Sequence, residues 1–230
     1  MGRVKKNHNE RRVEIIQTAS ALFQEFGYQS TSVNQIIETM GISKGAFYHY
    51  FKSKEQLLDA LVELFVDDVI KVVEPIVERK DIDAVTKFNL FYRTGGLYKV
   101  ENLNRIMVIL HAIYDSKNIL LRDKLNKRSV EVTLPYLTKI FEQGRAEGAF
   151  NLDNAESVAR LVLQMAIPIG EYNAKLILEL KSKPENIEAL DQSFKTYQTA
   201  ISRFLGVSEG LLQIYNTEFL TKISGGLNEN

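Results

Sequence analysis

Residues 31–54 read TSVNQIIETMGISKGAFYHYFKSK, and the punctuation of this stretch decides how the rest of the chain is understood. Gln35 follows Ser32 at the spacing of a helix cap, and Val33, Ile36, Ile37 and Met40 then recur at helical intervals. The helix they predict is short, because the next residue is Gly41, the type that takes a left-handed backbone without penalty. Ser43 then caps a second short helix running to about Phe51. Two short helices and a tight turn make a helix-turn-helix candidate.

At about 100° per residue, Lys44, Gly45, Tyr48 and His49 share one face of the second helix, while Ala46, Phe47, Tyr50 and Phe51 fall on the other. The first face offers a cation, a backbone with no side chain over it, a phenol and an imidazole. These are groups that reach phosphates and base edges in a major groove. The aromatic face is assigned to the core. Ser53, with Gln56 three residues on, caps a longer helix whose first turn carries Lys54, where an ammonium and backbone N–H groups can share one phosphate.

At these residues the chain resembles a TetR-family transcriptional regulator. The match runs through Phe26, Gly27, Tyr28, Thr31, Ser32, Val33, Ile36, Gly41, Ile42, Ser43, Gly45, Tyr48, Tyr50, Phe51, Lys52, Lys54, Glu55 and Leu57. Ile37 and Met40 depart from the pattern, standing where the family usually has alanine. The resemblance implies an all-α protein with a three-helix DNA-binding head and a larger helical domain that binds a ligand and dimerises. It also implies that Tyr48, Tyr50 and Lys54 clamp phosphates, with Lys44, Gly45 and His49 nearest the base edges. Ser32, Asn34 and Ser43 complete the set of expected DNA contacts.

At 230 residues the chain is long enough for a small domain plus a larger one, and its 45% hydrophobic content fits a globular protein. It has no cysteine, which removes disulfides, thiolate metal sites and cysteine nucleophiles together. The longest run free of charge is twelve residues, 26–37, too short to span a bilayer, and the N-terminus lacks the apolar core of a signal peptide. The expected compartment is the cytoplasm, with no membrane partner. The net charge is zero, yet the signs are segregated: residues 1–54 hold eight Lys or Arg against four Glu, 8 − 4 = +4, and the remainder is 21 − 25 = −4. A basic N-terminal part followed by an acidic remainder suits a protein of which one end approaches nucleic acid.

In chain order, residues 1–9 read as a flexible basic arm, 10–54 as the DNA-binding domain and 55–230 as the ligand-binding and dimerisation domain. Residues 10–26 form a helix with Val13, Ile16, Ala19, Leu22, Phe23 and Phe26 on one stripe; Arg11 and Arg12 at its start are placed to touch DNA. A long helix runs to about Arg79 with Pro75 near its end, and further helices are expected over 82–93, 103–114, 119–147, 154–180, 184–205 and 208–224. Gly95, Gly96, Gly148, Pro184 and Gly206 separate the periodic segments, and Asp153 with Glu156 gives an acidic helix start. By resemblance, helices 154–180 and 184–205 pair with their symmetry mates in a four-helix bundle, an isologous homodimer contact.

Phe88, Tyr92, Met107, His111, Tyr114, Phe141, Met165 and Tyr172 are the candidate ligand-pocket residues, a composition suited to an apolar or aromatic effector. His111 and Tyr114, three apart on one helix, would orient it. The three histidines, His8, His49 and His111, lie in three segments, so neither a metal site nor a histidine-based catalytic site is expected. No nucleophile motif or phosphate-binding glycine loop occurs, and no cofactor is implied. The sequence therefore reads as a ligand-responsive regulator, with repression the expected sense, binding a palindromic double-stranded operator as a dimer and released by a small effector. The competing reading is a helical small-molecule-binding protein or enzyme that does not bind DNA.

Overall fold

The computed structural model describes residues 8–115, 118–215 and 217–228, and among them all regular structure is helical. The helices are α1 (His8–Phe26), α2 (Val33–Met40), α3 (Lys44–Tyr50), α4 (Lys54–Glu78), α5 (Ala84–Glu101), α6 (Leu103–Ile113), α7 (Ile119–Ala146), α8 (Ala155–Glu179), α9 (Asn186–Phe204) and α10 (Thr217–Asn228). The expected basic arm lies outside the described residues as far as Asn7, and its last two residues, His8 and Asn9, already belong to α1.

The chain divides into two compact units. One takes in residues up to 66 together with 104–122, and the other takes in 67–103 and 123–230. The first is thus larger than the 10–54 segment, because the head does not close its core alone. Ile15, Ile16, Ala19 and Phe23 of α1 pack with Ile36 of α2 and Phe47 of α3, and the first turns of α4 add Leu57, Leu58 and Leu61. Val108 and Ala112 of α6 complete this cluster. Ile37 and Met40 are accommodated here, Ile37 as a buried core residue and Met40 packed partly buried against it. Gly27 ends α1 at φ +84°, and the Thr31 hydroxyl donates to the carbonyls of Leu22 (3.2 Å) and Gly27 (2.9 Å), which fixes the entry into α2.

In the second unit the core joins Val73 and Val77 of α4 to Phe88 and Phe91 of α5, Leu137 and Phe141 of α7, Ala159 and Val162 of α8, and Tyr197 and Ile201 of α9. α8 and α9 lie against one another, joined by the short turn after Leu180. Lys87 is buried, and its ammonium donates to the Val77 carbonyl at 2.8 Å, capping the C-terminal turn of α4.

Three helix limits differ from those expected. Gly95 and Gly96 lie inside α5 rather than ending it: a Cβ on Gly95 would stand 3.4 Å from Val73 Cγ1, and one on Gly96 would stand 3.5 Å from the Phe219 ring. The pair serves close packing, not chain reversal. Asn154, rather than Asp153, caps α8, its side chain accepting from Ser157 N at 2.7 Å. No helix starts at Ser208, because Gly206 and Gly210 take positive φ (+63° and +85°) and distant side chains claim the backbone that follows. Asn89 accepts from Gln213 N at 2.7 Å and donates to Leu211 O at 3.0 Å, while Gln198 accepts from Ile214 N at 3.1 Å. The last helix accordingly begins only at Thr217.

Candidate nucleic-acid interface

α2 and α3 are both held by local caps. The Ser32 hydroxyl accepts from Gln35 N at 3.1 Å, and Gly41 closes α2 at φ +61° with its N–H on Glu38 O. The Ser43 hydroxyl accepts from Ala46 N, also at 3.1 Å. Phe47 and Phe51, 0% and 1% exposed, fix the inner face of α3 in the core. The Lys52 ammonium donates to Tyr48 O at 2.9 Å at the end of the helix. Gln56 accepts from Lys52 N at 2.6 Å while its own N–H donates to the Ser53 hydroxyl at 3.1 Å, a reciprocal cap that starts α4.

This scaffold leaves Lys44, Gly45, Tyr48 and His49 exposed together on the outer face of α3, with Tyr48 at 45%. Ser32, Asn34 and Ser43 are exposed beside them at the starts of α2 and α3. A Cβ at Gly45 would find only Ser43 Oγ, at 4.0 Å, so nothing inside the protein requires a glycine there. Tyr50 is half-buried, turned toward the edge of the face.

Lys54 has a different task from the one expected. Its ammonium donates to the carbonyls of Tyr28 (2.8 Å), Gln29 (3.2 Å) and Thr31 (3.0 Å), and it stands 4.5 Å from the centre of the Tyr28 ring. An ammonium has three protons, and all three are used. Burial lowers the Lys54 pKa, opposed by the neighbouring Glu55 carboxylate, and burial pushes the Tyr28 phenol up to about 12. Here Lys54 ties the first residue of α4 to the loop between α1 and α2 instead of presenting a free cation to a phosphate. Arg11 is paired with Glu14 at 2.7 Å, and the Arg12 guanidinium lies 5.3 Å from the centre of the Phe51 ring.

One neighbour of α3 escapes sequence reading. His8, from the start of α1, places its ring 4.6 Å from that of Tyr50 and 5.5 Å from that of His49. Separation along the chain therefore did not keep these two histidines apart. No periodic or capping signal marks His8. Among the described residues no group of three or more His, Cys, Asp or Glu is arranged to hold a metal ion.

The eight candidate pocket residues are divided between the two compact units. Phe88 and Phe141 are fully buried in the core of the second unit, and Tyr92 and Met165 pack against it. Tyr172 is 51% exposed. Met107, His111 and Tyr114 belong to the first unit: the exposed His111 contacts its own helix, Nδ1 to Met107 O at 2.8 Å, and the Arg122 guanidinium lies 5.2 Å from the centre of the Tyr114 ring. The second unit does hold a buried polar relay. Tyr197 donates to Val162 O at 2.9 Å and interacts with the Tyr92 hydroxyl; burial raises both phenols, Tyr197 to about 12.

Comparison with known proteins places this geometry. Residues 15–61 match the family described as bacterial regulatory proteins, tetR family. The uncharacterized HTH-type transcriptional regulator YfiR of Bacillus subtilis is 24% identical over 197 residues, 85% of this chain and 94% of that one. The HTH-type transcriptional repressor KstR2 of Mycobacterium tuberculosis is 42% identical over 67 residues, 29% of this chain and 34% of that one. Among solved structures, a TetR-family regulator from Pectobacterium atrosepticum superposes with a TM-score of 0.66 at 20% identity, covering 88% of this chain and 98% of its own. One from Syntrophomonas wolfei does so at 0.62 and 24%, covering 88% and 100%. Those two likenesses extend the fold beyond the head, and no helix among the described residues is long and apolar enough to cross a membrane. With the capped α2–α3 pair, the exposed face of α3 and the matched head, the chain belongs to the TetR family of helix-turn-helix, DNA-binding transcriptional regulators.

Proposed function

We propose that the protein is a repressor that binds a palindromic operator as a homodimer and is released by a small, largely apolar effector. Lys44, Gly45, Tyr48 and His49 meet the base edges and adjoining phosphates, while Ser32, Asn34, Ser43 and Tyr50 lie along the DNA backbone. The observation that carries this reading is Gly45. A glycine inside a helix costs about 0.5–1 kcal/mol relative to alanine. No internal contact at Gly45 repays that cost. A duplex backbone brought against α3 supplies the missing reason.

The dimer follows from the size of the reading helix and from α8. Seven residues of α3 span about 10 Å, enough for a few base pairs, so a specific site needs two copies about 34 Å apart. Leu161 and Tyr172 are eleven positions apart on α8, hence on one face, and are 47% and 51% exposed. Large apolar groups left in the open on one face suit an isologous contact. The sense of regulation draws on the likeness of the head to the KstR2 repressor. The effector is assigned to the 55–230 region, where Tyr92 and Tyr197 put hydroxyls among apolar side chains. A coupling of about 1–3 kcal/mol between effector and DNA would weaken DNA binding about 5- to 150-fold.

The test separates fold from function. Gly45→Ala is expected to stabilise the protein by about 0.5–1 kcal/mol, while retention on duplex DNA falls. The combined substitution of Lys44, Tyr48 and His49 by alanine abolishes binding and leaves the dimer intact by light scattering. Undiminished binding by both variants, or dissociation of the triple variant into monomers, overturns the assignment of this face.

A further inference from the structure

We propose that His8 is a positioning residue for base recognition, holding the His49 imidazole in the orientation in which it meets the operator; this rests on the DNA-binding reading of α3. The rings of His8, His49 and Tyr50 form a closed triangle. The centroids lie 5.5 Å apart for His8 and His49, 4.6 Å for His8 and Tyr50, and 5.1 Å for His49 and Tyr50. Two of the three pairs are edge-on, at 81° and 85°, and all three separations fall in the range in which aromatic rings attract.

Two of these rings come from α3, and the third arrives from α1 across more than forty residues of sequence. The triangle does little for the core, since His8 and His49 are both exposed. What it does is restrict rotamers. A lone histidine near the end of an exposed seven-residue helix has several staggered positions open to it. The edge-on contacts with Tyr50 and with His8 select among them. The order is then present before DNA arrives, and its entropic cost does not fall on binding. Hydrogen-bonded base readout depends on such placement, because a donor or acceptor displaced by one rotamer no longer matches a base edge.

The chemistry also separates His8 from an ordinary phosphate contact. A phosphate-binding cation strengthens binding to every sequence alike and adds to the salt dependence. A residue that orients another one sharpens preference at a single base pair. The conservative replacement for that role is an aromatic ring without nitrogen.

The experiment is selection of duplexes from a random pool by the full-length chain, comparing wild type with His8→Ala, His8→Phe, His49→Ala and the His8→Ala/His49→Ala double variant. His8→Ala is expected to relax preference at one base pair in each half-site by about two- to tenfold, the worth of one aromatic pair. The position is the one that His49→Ala relaxes. His8→Phe recovers most of the preference, the double variant loses no more than His49→Ala alone, and the salt dependence stays unchanged. Unaltered preference in His8→Ala overturns the proposal, as does a uniform loss across all sequences with a shallower salt dependence. A wild-type chain that enriches no sequence overturns the parent reading of α3, an outcome distinct from enrichment that ignores residue 8.

Discussion

Replacing Gly144 by alanine sets two effects of opposite sign against each other, and the geometry decides between them. Gly144 lies in the last turns of α7, where alanine in place of glycine gains about 0.5–1 kcal/mol of helix propensity. A Cβ there would stand 2.0, 2.4 and 2.7 Å from Cδ2, Cε2 and Cγ of Phe150. Carbon atoms pack at about 3.5–4.0 Å, so the ring would have to retreat by at least about 1.5 Å. It has nowhere to go, being 3% exposed and set edge-on to the buried Phe141 ring at 5.8 Å. Nor can the backbone carry it away, since Ala149 N and Phe150 N both donate to the Gly144 carbonyl, at 2.8 and 3.0 Å. Overpacking costs about 1–3 kcal/mol, and expelling a phenylalanine from a core about 3–5 kcal/mol. Gly144→Ala is therefore expected to destabilise by about 1–4 kcal/mol, lowering the thermal midpoint by about 2–4 °C per kcal/mol in circular dichroism melts. Phe150→Ala removes the obstacle, so in the double variant the two losses sum to less than their separate values, with a coupling of at least about 1 kcal/mol. A rise in stability for Gly144→Ala, or strict additivity with Phe150→Ala, would refute the packing argument.

Ser43→Ala removes the cap of the reading helix and is expected to cost about 1 kcal/mol in urea denaturation while leaving α8 and α9 unaffected in hydrogen exchange. Lys87→Met keeps the aliphatic stem but loses the ammonium on the Val77 carbonyl; a loss of about 1.5–3 kcal/mol is expected, and a change below about 0.5 kcal/mol would show that carbonyl to be otherwise satisfied. On acidification, Asp81 titrates well below its ordinary 3.8, at about 2, because the Arg79 guanidinium bonds to it, and the Thr86 N–H and hydroxyl depress Asp83 in the same direction. Both are depressed in the folded state, so their contribution is complete above about pH 4 and is lost as pH falls toward about 2; carboxyl chemical shifts across that range check the sign, and a midpoint of 3.8 for Asp81 would contradict it.

The parts of the fold that were legible in the sequence are those set by contacts three or four residues apart. Ser32 with Gln35 N, and Ser43 with Ala46 N, are such contacts, and the limits of α2 and α3 follow from them. Gly95 and Gly96 read in the sequence as separators because glycine serves two purposes, left-handed backbone and close approach, and only the positions of Val73 and Phe219 reveal which applies. Periodicity around Ser208 gave no warning that Asn89, more than a hundred residues earlier, takes the backbone of residues 211 and 213. The exposed face of α3 was legible because the buried Phe47 and Phe51 define its opposite. Met107, His111 and Tyr114 carry no mark of the unit their helix joins, because an apolar stripe tells that a helix is buried and not against what.

These differences bear on how a reading helix so short can be accurate. Seven residues are too few to hold a helix in water, so the geometry of α3 is borrowed from its surroundings. Phe47 and Phe51 anchor it to a core that includes Leu57, Leu58 and Leu61 of α4, and Gln56 of α4 accepts from the Lys52 N–H that follows it. Lys54, the first residue of α4, holds three carbonyls of the loop that leads into α2. A displacement of α4 along or about its axis thus acts at two points, the exit from α3 and the entry to α2, both tied by hydrogen bonds that tolerate only a few tenths of an ångström. Both ties lie within the first unit, so the placement of α3 is set by the first turns of α4. Lys54→Met cuts one of the two ties. If the placement of α3 needs both ties, retention on duplex DNA falls in that variant with helix content unchanged by circular dichroism; undiminished retention refutes the role given to Lys54.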